Sequence, residues 1–145
     1  MKKLLFFAIL IMACVGFQSC MMDNSEPMVN VKTESQSRII FLKSSSCSRS
    51  AAAERYFQKV AQSSGLDLKK FVYFIELDEN AENFDKGRAM EYFKSAKYYY
   101  NLGSDVNTPV ICFGENYISG WDYRDEVKVD AWVKPYMEKA EQAKW

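Results

Sequence analysis

Four consecutive apolar residues, Ile39-Ile40-Phe41-Leu42, bounded by polar neighbours, set the strongest constraint on how this chain can fold. Successive side chains on a strand point to opposite faces, so a run with no polar alternation must be covered on both sides. It reads as the central strand of a sheet with helices packed over it. A serine-rich turn then leads through Cys47 into a helical stripe over residues 51–62, with Ala52, Tyr56, Phe57, Val60 and Ala61 on one side and Ser63-Ser64-Gly65 as the stop. A β-branched and aromatic run at residues 71–77, ending in Asp78-Glu79-Asn80, supplies a second strand. Strand, helix, strand predicts a right-handed parallel crossover.

Residues 81–102 have helical propensity, with Phe84, Ala89, Met90, Phe93, Ala96, Tyr99 and Tyr100 available for an inner face and Gly103 to close the helix. Two short apolar runs, 109–113 and 117–119, flank Gly114-Glu115-Asn116 and predict a hairpin. A last helix begins near Asp125 and carries Val127, Val129, Ala131, Trp132, Val133 and Met137, with a kink or restart expected at Pro135. The expected class is α/β, a central mixed sheet flanked by helices, with an extended helical segment ahead of the hairpin.

At 145 residues the chain has room for one globular domain with a substantial core. Formal net charge is zero and no basic stretch stands out, which leaves no electrostatic footprint for nucleic acid. The sequence has no histidine, so the commonest metal ligand and general base are missing. The four cysteines stand singly at 14, 20, 47 and 112, without paired metal-ligand spacing. Neither a metal nor another cofactor is expected, and composition says nothing about oligomeric state.

Lys2 and Lys3 precede an apolar run over residues 4–17, short for a membrane span and laid out like a bacterial export signal. The run ends in Gly16-Phe17-Gln18-Ser19-Cys20, which resembles the lipobox of bacterial lipoproteins. That resemblance implies cleavage after Ser19 and a lipid on Cys20. Cys14 is a rival acceptor, although further apolar residues follow it, and an uncleaved anchor would give the same address. Residues 20–37 are polar and mixed in charge, carry Pro27, and read as a lipid-anchored tether. The expected organisation is a signal peptide at 1–19, the tether at 20–37 and the domain at 38–145. The domain then works outside the cytoplasm, anchored to a membrane, where disulfides are permitted.

Cys47 is the main chemical candidate. A thiol at a helix N-terminus feels the unpaired backbone N–H groups, which favour the reactive thiolate, and Lys43 and Arg49 lie close in sequence. The alternative is a small buried hydrophobe, against which the polar run 44–50 argues. Three residues on stands Ser50, which cannot close an internal disulfide and which, like Ser48, suits a helix cap. Cys112 alternates with Ile111 and Phe113 on a strand and reads as a core cysteine. Among Tyr98, Tyr99 and Tyr100, at least one should face solvent while another packs; a place in a groove beside the thiol is the alternative.

Strand, thiol, helix, second strand and helix, then a Thr-Pro-led hairpin and final helix is the element order of the thioredoxin-like superfamily, which the chain resembles from about Arg38 onward. Cys47-Ser48-Arg49-Ser50 is similar to a one-thiol form of that family's redox motif, and Thr108-Pro109 is similar to its cis-proline. Ser119-Gly120-Trp121-Asp122 resembles the segment with which glutaredoxins hold glutathione, although Ser119 replaces a glycine and Trp121 is additional. The tryptophan that thioredoxins place before the motif is absent, since Ser46 stands there, and Phe41 occupies the region of their buried acid. The resemblance implies a nucleophilic Cys47, with Ser50 and Arg49 in the motif and Lys43, Thr108 and Pro109 binding substrate. The partner would be a disulfide-containing protein or a small thiol. The activity implied is extracytoplasmic thiol–disulfide exchange of an isomerase or reductase kind. A redox-inactive peptide- or protein-binding module on the same fold is the alternative.

Overall fold

The computed structural model describes residues 25–142. It is a mixed α/β domain with a four-stranded sheet in the order β2-β1-β3-β4. The elements run α1 (Val31–Glu34), β1 (Ile39–Lys43), α2 (Ser48–Ser64), α3 (Leu68–Phe71), β2 (Val72–Glu76), α4 (Lys86–Tyr99), β3 (Val110–Phe113), β4 (Asn116–Ser119) and α5 (Asp125–Gln142). β1 pairs parallel with β2 and antiparallel with β3, and β3 pairs antiparallel with β4. β1 is thus the central strand that its uninterrupted apolar run demands.

Alternation along β1 splits the interior into two cores. Ile39 and Phe41 pack with Ala53 and Phe57 of α2, Ile111 and Phe113 of β3, Trp121, and Val129 of α5. Phe41 and Phe57 meet edge to face, with ring centroids 5.6 Å apart. Ile40 and Leu42 point the other way, onto Ile75, Val110, Cys112 and the Tyr92, Ala96 and Tyr100 side of α4. The register Ile40–Cys112 and Leu42–Val110 places the cysteine inside this second core, as its alternation predicts.

Several boundaries differ from the sequence reading. α2 starts at Ser48, a turn earlier than its apolar stripe, because the stripe marks only residues that face the core and the first turn is polar. Gly65, at φ 64°, ends it as expected, with Leu66 N–H donating to Ala61 O at 2.9 Å. α4 begins only at Lys86, where the Asp85 carboxylate accepts from Arg88 N–H at 3.0 Å. It closes at Tyr100 and Asn101 rather than Gly103: Asn101 takes the left-handed conformation, φ 52°, and Leu102 N–H reaches Lys97 O at 3.1 Å. Met90 lies off the inner stripe and is 62% exposed. Asn116 belongs to β4, leaving a two-residue turn with Gly114 at φ 59°. α5 runs through Pro135, and of its apolar residues Val129 is fully buried whereas Val127 is exposed.

The larger correction concerns the tether. From Pro27 to Ser35 the chain is part of the fold, capping the second core beside α4. Asn30 caps α1 by accepting from Thr33 N–H, and Val31 is fully buried. Ser95 accepts from Val31 N–H at 3.0 Å and donates to Val29 O at 2.7 Å, and the Glu91 carboxylate accepts the Met28 and Val29 N–H groups. Ser35, also buried, accepts from Gly114 N–H at 2.6 Å, joining this segment to the hairpin turn. These partners lie more than sixty residues away in sequence, and no local period announces them.

Deleting two methyl groups at Val31 should therefore be felt as a core cavity. Val31→Ala is expected to lower the unfolding free energy by about 2 kcal/mol in urea denaturation, while Met28→Ala, at an exposed position, changes it by less than about 0.5 kcal/mol.

Candidate functional site

The site forms where β1 and β2 finish and β3 begins. Lys43 pairs with Glu76 in the sheet, and Leu77 N–H donates to Lys43 O at 2.8 Å, so both parallel strands end level with each other. Beyond β1 the chain turns tightly: Cys47 N–H donates to Ser44 O at 3.0 Å. Two buried side chains hold that turn from below. Ser50 Oγ accepts from Ser44 N–H at 3.1 Å, and Glu76 accepts from both Ser45 N–H, at 3.1 Å, and the Ser45 hydroxyl. Glu76 also accepts from Asp78 N–H at 2.9 Å. The Asp78 carboxylate is held below the usual range, chiefly by Asn80 N–H and then by the Ser46 hydroxyl.

Cys47 is the N-cap of α2, extended at φ −97° and ψ 120°, with its carbonyl accepting the first helical bond from Ala51 N–H at 3.2 Å. An N-cap side chain faces the N–H groups two and three residues on, which here belong to Arg49 and Ser50. Sulfur thus stands where serine or aspartate oxygen usually sits. As a thiol, Sγ donates to Thr108 O at 3.6 Å, a sulfur-length hydrogen bond. Partial burial pushes the thiol's pKa up. That push is outweighed by the Thr108 side chain, the N–H groups of Ser50 and Arg49, and the Ser50 hydroxyl, and the net shift is downward.

The Thr108–Pro109 peptide is cis, and Pro109 is fully buried. Gly120, at φ 77°, donates its N–H to Pro109 O at 2.8 Å and to Asn107 O at 2.9 Å, so the end of β4 braces the proline loop.

The structure brings Cys47, Arg49, Ser50, Thr108 and Pro109 together and assigns two of the expected residues different work. Lys43 Nζ is 2.6 Å from the Glu54 carboxylate, and the causes of the Cys47 shift are hydrogen bonds rather than the charge of Lys43 or Arg49. Ser50 does not cap α2; buried at 1% exposure, it fixes the turn before it. Cys112 is free and buried, and desolvation pushes its pKa up to about 12. Tyr100 packs in the second core and Tyr98 is half exposed, as three consecutive helical tyrosines require. Asp122 accepts from Arg124 N–H at 2.9 Å and Nε at 3.1 Å. Cys20 lies outside the described residues. Glu76 is the site residue that the sequence reading missed, because a single acid at a strand end reads as solvated.

Among the described residues there is no cluster of His, Cys, Asp and Glu able to hold a metal, and no helix is long and apolar enough to cross a membrane. No family model, curated protein or solved structure matches the chain.

A thiol stabilised as thiolate by neighbouring N–H and O–H groups ionises at lower pH. In the full chain with Cys14→Ala and Cys20→Ala, held in nonionic detergent, the pH midpoint of Cys47 alkylation is expected below that of a free cysteine. Ser50→Ala should raise the midpoint, Lys43→Gln should leave it in place, and Cys112 should stay unreactive until the chain unfolds.

Proposed function

We propose that this chain is a thioredoxin-like, lipid-anchored extracytoplasmic protein that exchanges thiols and disulfides through one nucleophilic cysteine, Cys47. The observation that carries the reading is a thiol at the N-cap of α2, with a lowered pKa, in hydrogen-bond contact with Thr108 of a cis Thr-Pro peptide. The strand order β2-β1-β3-β4, with the thiol just past the central strand, supports the fold assignment. The lipobox-like segment ending at Cys20 supports the address.

The chemistry balances as exchange. The Cys47 thiolate attacks one sulfur of a substrate disulfide; the old S–S bond breaks, a mixed disulfide forms at Cys47, and the other sulfur leaves as thiolate. Ser50 carries no sulfur and Cys112 is buried, so release requires an external thiol or a return attack by the departed one. One disulfide replaces another at each step, with no net oxidation or reduction. That suits isomerisation, or removal of a small-thiol adduct. Backbone groups beside Pro109 are the natural dock for an extended substrate, and the helix N-terminus stabilises negative charge on sulfur as Cys47 is displaced again.

Incubating the full chain, with Cys14→Ala and Cys20→Ala, with bis(2-hydroxyethyl) disulfide is expected to add one mercaptoethanol to Cys47 by mass. Dithiothreitol should remove the adduct, and Cys47→Ala should abolish it. A folded chain that forms no adduct would contradict exchange and assign the same surface to partner capture without chemistry.

A further inference from the structure

An open groove of about 740 Å³ begins one residue past the thiol, at Ser48 and Arg49, and follows α2 to Ser63. Its α2 wall repeats at helical spacing through Ala52, Tyr56, Lys59 and Ser63, with Arg55 alongside. Tyr56 and Trp121, with ring centroids 5.5 Å apart, lie along it. The groove is continuous with the exchange site, because a methyl group placed on Gly120 would lie 3.7 Å from the Arg49 guanidinium, and Gly120 is the residue that braces Pro109.

The charges in this groove are unevenly matched. Arg49, Arg55 and Lys59, all exposed, form no salt bridge among the described residues, which is also true of Lys69, Lys70, Lys86, Arg88 and Lys97 elsewhere; only the first three line this groove. On the facing α5 wall stand Glu126 and Asp130. The Asp130 carboxylate already accepts the Tyr56 hydroxyl, and the Glu126 carbonyl accepts it at 3.3 Å. The α2 wall thus carries three unpaired cations from the thiol outward, against two carboxylates on the α5 wall, of which that of Asp130 is engaged by Tyr56. At 1.5 Å per residue, Arg49 to Ser63 spans about 21 Å, the reach of roughly six residues of extended chain.

We propose that this groove receives an acidic, extended peptide segment flanking the reactive sulfur of the substrate, with Arg49, Arg55 and Lys59 reading its carboxylates. The inference rests on the exchange reading and names its substrate class: disulfide-bearing proteins whose reactive cysteine is followed or preceded by acidic residues. Such pairs act in solvent, so the preference lies in encounter and orientation and weakens with salt.

The test uses heptapeptides with one cysteine flanked by six aspartates and glycines, six serines and glycines, or six lysines and glycines, each as its mixed disulfide with thionitrobenzoate. The Cys47 thiolate attacks the peptide sulfur, forming the Cys47–peptide disulfide and releasing coloured thionitrobenzoate. The full chain with Cys14→Ala and Cys20→Ala is expected to react with the acidic peptide about tenfold faster than with the basic one at low ionic strength, the gap closing in high salt. Arg55→Glu with Lys59→Glu should reduce that ratio to about one or invert it. Lys86→Glu with Arg88→Glu, an equal charge change on α4, should preserve it.

Equal rates for acidic and basic peptides, with the neutral one reacting, would overturn the groove assignment and leave exchange intact. If no peptide reacts at Cys47, exchange falls. In that case the binding of the same peptides with serine for cysteine, measured by calorimetry, decides the groove: acidic preference lost in the Arg55→Glu, Lys59→Glu variant supports it, and no preference overturns it.

Discussion

Everything in this domain is arranged around the burial of β1 on both faces. A strand with Ile39 and Phe41 on one side and Ile40 and Leu42 on the other needs two cores, and each must be closed by something. α2 and α5 close one. α4 closes the other only in part, and the remaining gap is filled by Val31 and the segment around it. The buried hydroxyls of Ser35 and Ser95 follow from that choice: a non-helical stretch packed against a helix must find partners for its backbone, and side-chain oxygens supply them.

The same strand decides where the chemistry sits. Because β1 ends level with β2, the chain leaving it has only residues 44–46 in which to turn before α2 begins. Ser50 and Glu76 tie that turn down, and Cys47 arrives at the cap position facing the N–H groups of Arg49 and Ser50. Thr108 is brought to the sulfur by the antiparallel partner β3, which starts just after the cis peptide. The lowered pKa is thus a product of backbone placement. Lys43, the nearest cation in sequence, is engaged by Glu54 and contributes none of it.

Much of this was legible in the residues, for reasons that also explain the rest. The uninterrupted 39–42 run, the alternation that buries Cys112, the glycine turn at 114 and the left-handed stop at Gly65 are local signals, each tied to one backbone geometry. The first turn of α2 was not legible, because its polar residues face solvent and a hydrophobic stripe cannot mark them. Gly103 misled for the opposite reason: asparagine also tolerates the left-handed conformation, and Asn101 came first. The ordering of 27–35 and the role of Glu76 depend on contacts across the fold, and neither leaves a local period. Arg49 and Ser50 were found from their neighbourhood with Cys47, yet their work differs from a charge beside a thiol and a cap: one gives its N–H, the other holds Ser44.

If the Cys47 thiolate is the cap of α2, its ionisation must be linked to folding. A thiol whose folded pKa lies below its unfolded value, about 8.5 for a free cysteine, contributes stability that is full above the unfolded pKa and is lost as pH falls through the folded one. The direct measurement is the difference in urea unfolding free energy between the chain and its Cys47→Ala variant across that pH window. The chain with Cys47 is expected to gain on the variant as pH rises from below the folded pKa to above the unfolded one. A difference that stays flat with pH, or shrinks as pH rises, would contradict the thiolate cap.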